Sequence, residues 1–297
     1  MSGVAVREAG VTAAARDFIA LTKPRIISLL LVTTVASMYV AGRPSWLRVV
    51  LVALGGYLMA GGANAVNMYL DRDIDDLMAR TRLRPIPSGR LAPVSVLAFG
   101  VALAVGATWL LAQFVNVLTA ALALGGFYFY VVVYTRWLKR VTPQNIVIGG
   151  AAGAFPPLAG WAAVTGSLDL AAIYLFLIVF YWTPPHFWAL ALLKQVDYGR
   201  AGVPMAPVVW GERETMDQML WYTLILIALT VVPVTFGAFG IVYLAGALAL
   251  GGVLLYGVVR LRRSHPWTKV AWWVYKYSLL YLALLFVLMV IDRQIAL

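Results

Sequence analysis

Residues 46–76 determine the fold, and they read WLRVVLVALGGYLMAGGANAVNMYL followed directly by DRDIDD. The first part is an apolar run long enough to cross the hydrocarbon core of a bilayer, which requires about 20 residues in a helix. The second part places four aspartates within six residues at the end of that run. We therefore expect a membrane helix whose end carries a cluster of acids.

Similar apolar runs fill the chain from Ile26 to Ile291. Of the 297 residues, 63% are hydrophobic and only 12% are charged, whereas a soluble domain has about 25% charged residues. This composition predicts an all-α, polytopic membrane helical bundle with about nine transmembrane helices. The predicted spans cover residues 25–42, 46–70, 91–114, 117–134, 144–164, 168–193, 218–237, 240–259 and 271–292.

The basic residues predict the orientation of this bundle. If the N-terminus is inside, 19 of the 23 lysines and arginines fall in inner segments and three in outer segments. Short cytoplasmic loops carry an excess of Lys and Arg, so this split predicts the N-terminus inside and the C-terminus outside. We expect a multi-pass protein of the cell inner membrane, with its active site on the cytoplasmic side.

The domain organisation is expected to be simple. Residues 1–24 form an N-terminal segment in which 11–22 could make a surface helix, and residues 25–297 form a single nine-helix domain. The first 20 residues lack an apolar core after a basic start, so no cleaved signal peptide is expected. Acids concentrate on the inner side together with the long connections 71–90 and 194–217, and long loops at one face tend to carry function.

Several partner classes are excluded or disfavoured by composition. The net charge of +11 is explained by the lipid surface rather than by nucleic acid, which we do not expect as a partner. The sequence contains no cysteine, so it can form no disulfide, zinc–thiolate site or iron–sulfur cluster.

Asn67, Asp71 and Asp75 are spaced i, i+4 and i+8 at the end of the second span. On a helix such side chains share one face, with about 5–6 Å between neighbours. Three oxygen ligands in a row suit Mg²⁺, which typically takes one or two carboxylates together with substrate phosphate oxygens. The alternative is a solvated helix end whose aspartates pair with Arg72, Arg80 or Arg82.

The basic segment from Arg80 to Arg90 is interrupted by two prolines, which favour an extended path. Its arginines could bind a diphosphate in a forked geometry or contact lipid headgroups. Both interpretations stay open, and Arg80 and Arg84 are the candidates for substrate binding.

The spacing Asn67-x-x-x-Asp71-x-x-x-Asp75 resembles the first acidic motif of the UbiA-type intramembrane prenyltransferases. The longer string from Asn67 to Gly89 is similar to the branch of that family that modifies haem. Further strings agree with this resemblance: LTKPR at 21–25, RPIPSG at 84–89, YTRWLKR at 134–140, NIVIGG at 145–150, PPLAG at 156–160, WTPPHFWAL at 182–190, DY at 197–198 and GVPM at 202–205.

The resemblance implies a reaction. A farnesyl group would pass from farnesyl diphosphate to the vinyl group of haem B, with Mg²⁺ assisting diphosphate ionisation, to give haem O, the hydroxyethylfarnesyl haem of terminal oxidases. Haem A synthase and oxidase assembly factors are then candidate partners, beside the lipid bilayer.

The resemblance also assigns residues. Asn67, Asp71, Asp75 and Asp197 would be catalytic and hold the metal, although the family pairs a second acid four residues after Asp197 and this chain has Ala201 there. The candidate diphosphate-binding residues are Lys23, Arg25, Arg80, Arg84, Tyr134, Lys139, Arg140 and Lys194.

His186 is one of only two histidines and lies near the inner end of the sixth span. It is a candidate haem-binding residue because haem iron commonly takes a His ligand. The alternative is a buried His that bonds to a neighbouring helix.

Two competing functions remain at this stage. The same family could act on another aromatic acceptor such as a quinone precursor, and only the haem-branch strings argue against that. A membrane transporter is the other class, but transport sites usually lie near the bilayer midplane, whereas these acids gather at one face.

Overall fold

The computed structural model describes residues 14–296 and is entirely helical over them apart from turns and short connections. Nine helices in this part are long and apolar enough to cross a membrane, as the sequence predicts. A further helix occupies residues 14–22, and residues 11–13 of the predicted surface helix lie outside the described part. The membrane helices are α1 Pro24–Ala41, α2 Trp46–Leu70, α3 Pro93–Phe114, α4 Val117–Val141, α5 Asn145–Thr165, α6 Leu170–Leu193, α7 Gly211–Thr235, α8 Ile241–Arg263 and α9 Thr268–Ala296.

Local sequence signals explain where several helices begin. The side chains of Ser45, Asn116 and Asp169 each accept a hydrogen bond from a backbone amide in the first turn of α2, α4 and α6. Such N-caps satisfy amides that have no partner inside the helix. Pro24 and Pro93 occupy the first turns of α1 and α3, where a missing amide hydrogen does no harm.

Several helix boundaries differ from the predicted ones, mostly because a helix continues past its apolar run; α8 ends at Arg263 instead of 259, and α9 covers Thr268–Ala296 instead of 271–292. Helix α7 begins at Gly211, seven residues before the predicted span at 218, because its charged first turns continue the helix beyond the apolar region. Glu212 and Glu214 lie in its first turn, where negative charge is favoured by the helix dipole. Helix α5 is interrupted at Gly150, and α4 runs on to Val141 instead of ending at 134.

Helix α4 is π-helical from Phe129 to Leu138, so this segment begins inside the predicted span and continues past its predicted end at 134. Such segments are rare and occur frequently at functional sites. The residues YTRWLKR, which were expected to follow the span, therefore continue the helix and are positioned by it.

The helices pack mainly against their neighbours in sequence, and the largest further contacts join α1 with α5, α1 with α9, and α6 with α9, while a smaller one joins α2 with α4. Glycines permit the closest approaches. At Gly62 of α2, a Cβ atom would lie 2.6 Å from the carbonyl oxygen of Gly100 on α3. The ends of α2, α4 and α6 and their following connections meet at one end of this bundle, where the candidate site lies.

Candidate active site

The acidic residues lie at a break between two helices. Helix α2 ends at Leu70, Asp71 adopts φ −90° and ψ 4°, and a short helix covers Arg72–Leu77. The amide of Asp71 donates to the Asn67 carbonyl at 2.9 Å, and the amide of Asp75 donates to the Asp71 carbonyl at 2.8 Å. Because this i to i+4 bonding continues across the break, the three side chains stay on one stripe. All three are buried, with at most 4% exposure.

Asn67 has its amide fixed by two acceptors. Its Nδ2 donates to Asp71 Oδ2 at 2.7 Å and to Thr135 Oγ1 at 3.1 Å. Thr135 donates its single hydroxyl proton to the Tyr130 carbonyl at 2.8 Å, so its oxygen must accept from Asn67. Asn67 Oδ1 is therefore held on the opposite side, where Lys23 Nζ lies 3.3 Å away.

The π-helical segment explains how α4 reaches this stripe. Tyr130 packs with Ala63 and Val66 of α2, while Thr135 and Lys139 bond to the Asn67 and Asp71 side chains. Nine residues separate Tyr130 from Lys139, which is about 2.5 turns of an α-helix and would place them on opposite sides. The wider winding of the π segment brings both onto the side that faces α2.

Three acids of the cluster form ion pairs, and all of their partners are residues predicted to bind diphosphate. Lys139 Nζ lies 2.5 Å from Asp71 Oδ2, and Arg84 Nη1 contacts both oxygens of Asp75 at 2.6 and 2.8 Å. Arg140 forms a two-nitrogen fork on Asp73 at 2.6 and 2.7 Å, and it also lies 3.9 Å from Asp71. The partners considered from the sequence, Arg72, Arg80 and Arg82, form none of the ion pairs found among residues 14–296. Arg72 instead lies over the Tyr69 ring.

Charges of both signs meet at this site. Burial, and next the positive charge of Arg84, lowers the pKa of Lys23 to about 7. The hydrogen bond from Arg140 holds the pKa of Asp73 at about 2. Arg84, Lys139 and Arg140 are each paired with a carboxylate of the cluster, and Lys23 lies beside Asn67, so a diphosphate would bind here together with a metal ion that offsets the carboxylates.

The oxygen atoms present fit Mg²⁺. Asp71 Oδ1 is buried and accepts no hydrogen bond within the described chain, although a buried carboxylate oxygen normally has a partner. No three His, Cys, Asp or Glu side chains between residues 14 and 296 are close enough together to hold a metal by themselves. Mg²⁺ tolerates this because it usually takes one or two carboxylates and completes its shell with water and phosphate oxygens.

The remaining predicted residues divide into buried and peripheral ones. Tyr134 is buried, stacks on Tyr130 with 5.7 Å between ring centroids, and fits only because Gly149 has no side chain to displace it. Arg25 and Arg80 are exposed. Lys194 and Asp197 lie half-buried at and just after the end of α6, and neither side chain is paired within the part of the chain that the structure covers.

Thr135 belongs to the site but was not among the predicted residues. Its only sequence signal is its place inside YTRWLKR, beside Tyr134. Thr81 was also missed; its hydroxyl donates to the Asp75 carbonyl at 2.7 Å.

His186 is stacked between two aromatic rings of α6 and α9. Its ring lies 4.3 Å from that of Trp182 and 5.0 Å from that of Tyr275, with interplanar angles of 14° and 21°. Its Nδ1 lies 2.7 Å from Ser278 Oγ, and Ser278 donates its own proton to the Tyr275 carbonyl at 2.8 Å. Nδ1 must therefore donate, which leaves the Nε2 lone pair available. The alternative of a bond to a neighbouring helix is thus realised at Nδ1, while Nε2 makes no hydrogen bond among the described residues.

One apolar cluster connects the acidic stripe with the aromatic stack around His186. Tyr134 and Tyr198 from the acidic end and Trp188 of α6 are buried in it, and Tyr130, Phe187 and Tyr275 pack against it. The stack around His186 and the acidic stripe are thus joined by aromatic side chains, which suits an apolar reactant that has one charged end.

Comparison with curated proteins gives close relatives. The chain is 58% identical to a protoheme IX farnesyltransferase of Roseiflexus castenholzii over 94% of its own length and 52% of that protein. It is 53% identical to a protoheme IX farnesyltransferase of Symbiobacterium thermophilum over 93% of this chain and 94% of the relative. The chain thus spans about half the length of the first relatives it matches and nearly all of another.

Solved structures share the fold. A structure of digeranylgeranylglyceryl phosphate synthase matches 94% of this chain and 98% of its own with a TM-score of 0.76 at 18% identity. A UbiA homolog from Archaeoglobus fulgidus bound to GPP and Mg²⁺ matches 90% of this chain and 99% of its own with a TM-score of 0.67 at 15% identity. The profile of the UbiA prenyltransferase family matches residues 30–285, and with these relatives it shows that the chain belongs to the UbiA prenyltransferase family.

Proposed function

We propose that this chain transfers the farnesyl group of farnesyl diphosphate to the vinyl group of haem B and so forms haem O. The observation that supports the diphosphate chemistry is the buried oxygen stripe of Asn67, Asp71 and Asp75 surrounded by four cations. The observation that supports haem as acceptor is the identity of 58% and 53% to protoheme IX farnesyltransferases.

The stripe is the proposed metal site. Asn67, Asp71 and Asp75 would hold Mg²⁺, with Asp197 as a candidate for a second position. Mg²⁺ in such a place neutralises the diphosphate and improves it as a leaving group. A homolog of the same fold from Archaeoglobus fulgidus was solved with GPP and Mg²⁺, which supports Mg²⁺ as the metal.

The chain's own cations would bind the diphosphate. Lys139 and Arg84 already lie against the carboxylates, so a diphosphate bound there would contact both and gain charge as its bond to the farnesyl group breaks. Preorganised cations at a point of developing negative charge lower the barrier most effectively when water is excluded. We include Lys23 and Arg140 in this set, with Arg25, Arg80, Tyr134 and Lys194 as further candidates at its edge.

The apolar cluster would protect the allylic cation that forms when the diphosphate leaves. Its aromatic rings, including Tyr130 and Tyr134, offer π faces that attract a cation and keep out water that would quench it. The haem vinyl group would then attack the allylic cation through its terminal carbon, and the carbocation left on its inner carbon would take up water and lose a proton to give the hydroxyl of haem O. We propose that His186 Nε2 binds the haem iron during this step. Haem A synthase and oxidase assembly factors stay candidates for receiving the product.

The proposed topology places the N-terminus and the candidate site on the cytoplasmic side and the C-terminus outside. The distribution of basic residues supports it. The chain has no cysteine, so single cysteines can be introduced at Ser88 and Ser167, which are both exposed and lie at opposite ends of the bundle. An impermeant maleimide applied to intact cells should label only Ser167→Cys; labelling of Ser88→Cys alone would reverse the topology.

Product analysis tests the function itself. The purified chain in lipid nanodiscs should convert haem B and farnesyl diphosphate into a haem that is heavier by a farnesyl group plus a hydroxyl group, and only with Mg²⁺. Asp71→Asn should abolish this, whereas Asp76→Asn is the matched control because Asp76 is exposed and unpaired in the described structure. Equal turnover by both variants would refute the site. A prenylated quinone precursor from a mixed pool of acceptors, with haem unchanged, would refute the acceptor.

A further inference from the structure

A second charged feature lies at the same end of the bundle but outside the candidate active site. Between the end of α8 and the start of α9 is a groove with a volume of about 430 Å³. Two cations, Arg260 and Lys269, and two aromatic side chains, Tyr256 and Trp273, line it. We call it the α8–α9 groove.

The cations of the α8–α9 groove are available for a ligand. Both side chains are exposed, and neither forms an ion pair with any acid in residues 14–296. The neighbouring Arg262 behaves differently, since it pairs with Asp217. What distinguishes Arg260 and Lys269 is that both line one groove, whereas Arg263, which also forms no ion pair among the described residues, lies outside it.

The aromatic wall of the α8–α9 groove is preformed. The Trp273 ring stacks on Tyr277 with 5.0 Å between centroids and an interplanar angle of 1°, and the Tyr277 hydroxyl donates to the Leu250 carbonyl at 3.0 Å. Gly257 lies directly against the Trp273 ring, where a Cβ atom would collide with it. The wall therefore does not need to form when a ligand binds, which reduces the entropic cost of binding.

The position of the groove selects the chemical class of the ligand. It lies where two membrane helices meet the lipid–water boundary, because α8 ends at Arg263 and α9 begins at Thr268. Cations at that depth meet lipid phosphates, and exposed Tyr and Trp favour the interfacial region. Basic pockets between transmembrane helices at this boundary bind the headgroups of anionic lipids.

We propose that the α8–α9 groove is a binding site for an anionic phospholipid, whose phosphate contacts Arg260 and Lys269 and whose glycerol and upper acyl chain lie along Tyr256 and Trp273. The site is separate from the acidic stripe and does not depend on the proposed reaction. It would tie the α8–α9 end of the bundle to the anionic leaflet.

The test compares retained lipid in three proteins by native mass spectrometry, after reconstitution with equal amounts of phosphatidylglycerol and phosphatidylcholine. The variant Arg260→Gln/Lys269→Gln removes both cations. Arg263→Gln is the matched control, because Arg263 is exposed at the end of the same helix but does not line the groove. A melting temperature measured in phosphatidylcholine alone verifies that each protein is folded.

At about fivefold for each direct contact with the lipid phosphate, the double variant should lose phosphatidylglycerol affinity by roughly 30-fold, while the control, which makes no such contact, should lose at most the roughly fivefold of one general surface charge. Equal retention by wild type and double variant would overturn the proposal, and so would an equal loss in the control, because the effect would then be general surface charge. Displacement of the lipid by inorganic diphosphate at micromolar concentration would also overturn it, because the groove would then be an anion site and not a lipid site.

Discussion

Thr135→Val isolates the role of a hydroxyl group that the sequence did not identify. Valine keeps the shape of threonine but cannot accept from Asn67 Nδ2 or donate to the Tyr130 carbonyl. Asn67 then keeps its bonds to Asp71 and Lys23, but its Nδ2 loses one of its two acceptors, so the orientation that turns Oδ1 toward the proposed metal is held less firmly. Loss of a group that orients a metal ligand typically lowers metal affinity 10- to 100-fold.

The measurement is the Mg²⁺ dependence of diphosphate binding by titration calorimetry in nanodiscs, with Mg²⁺-dependent turnover as a second readout. We expect the Mg²⁺ concentration at half-saturation to rise at least about tenfold in Thr135→Val. Thr135→Ser should remain near wild type because it restores the hydroxyl. This pattern separates orientation of Asn67 from a simple packing effect.

The control for burial is Thr223→Val. Thr223 is also fully buried, but its hydroxyl bonds only to the Met219 carbonyl of its own helix. It should leave the Mg²⁺ dependence unchanged even if it alters the melting temperature. The same Mg²⁺ dependence in wild type and Thr135→Val would refute the positioning role of Thr135, as would failure of Thr135→Ser to restore it.

Three further predictions follow from the same contacts. Arg84→Gln leaves the buried Asp75 carboxylate without its ion pair and should destabilise the fold by about 3–5 kcal/mol. In a thermal melt, the double variant Arg84→Gln/Asp75→Asn should recover part of that loss. No recovery would show that Arg84 stabilises the fold through other contacts. Ser278→Ala removes the acceptor that holds His186 Nδ1 and should broaden and shift the absorption band of bound haem. His186→Ala should change that band more strongly. Unchanged spectra in both variants would rule out iron ligation by His186. Removal of Mg²⁺ with a chelator should stop turnover and leave haem binding intact, with full recovery on adding Mg²⁺ back; turnover that survives chelation would exclude the metal role of the stripe.

Hydropathy predicted the nine spans because the bilayer imposes a length that apolar runs must satisfy. It failed where helices extend beyond the apolar region. The first two turns of α7 contain Glu212, Arg213 and Glu214, so no apolar window reaches them, yet backbone bonding continues through them. Hydropathy also cannot show that part of α4 winds as a π-helix, because the amino-acid composition of that part is similar to that of an ordinary membrane helix.

The acidic stripe was predictable because its spacing follows the helical repeat, and the structure keeps that spacing across the break at Asp71. The pairing of acids with bases was not predictable, because it depends on how α4 and the 80–90 segment approach α2. Lys139 lies 68 residues from Asp71 in sequence. Thr135 was not predicted for the same reason. A threonine at the end of an apolar run is common, and the sequence does not show that the fold brings the Asn67 amide to its hydroxyl.

Because α4 contains the π-helical segment, the position of Lys139 depends on the number of residues in this helix. Its N-terminal half packs Gly125 and Gly126 against Phe155 of α5, while its C-terminal end presents Lys139 to the acids. Deleting a single residue between these halves would turn one relative to the other by about 100° without changing the apolar character of the span. Insertions and deletions here should therefore be far less tolerated than apolar substitutions. The number of residues in this helix fixes the angle between the face that packs in the bundle and the face that carries Lys139.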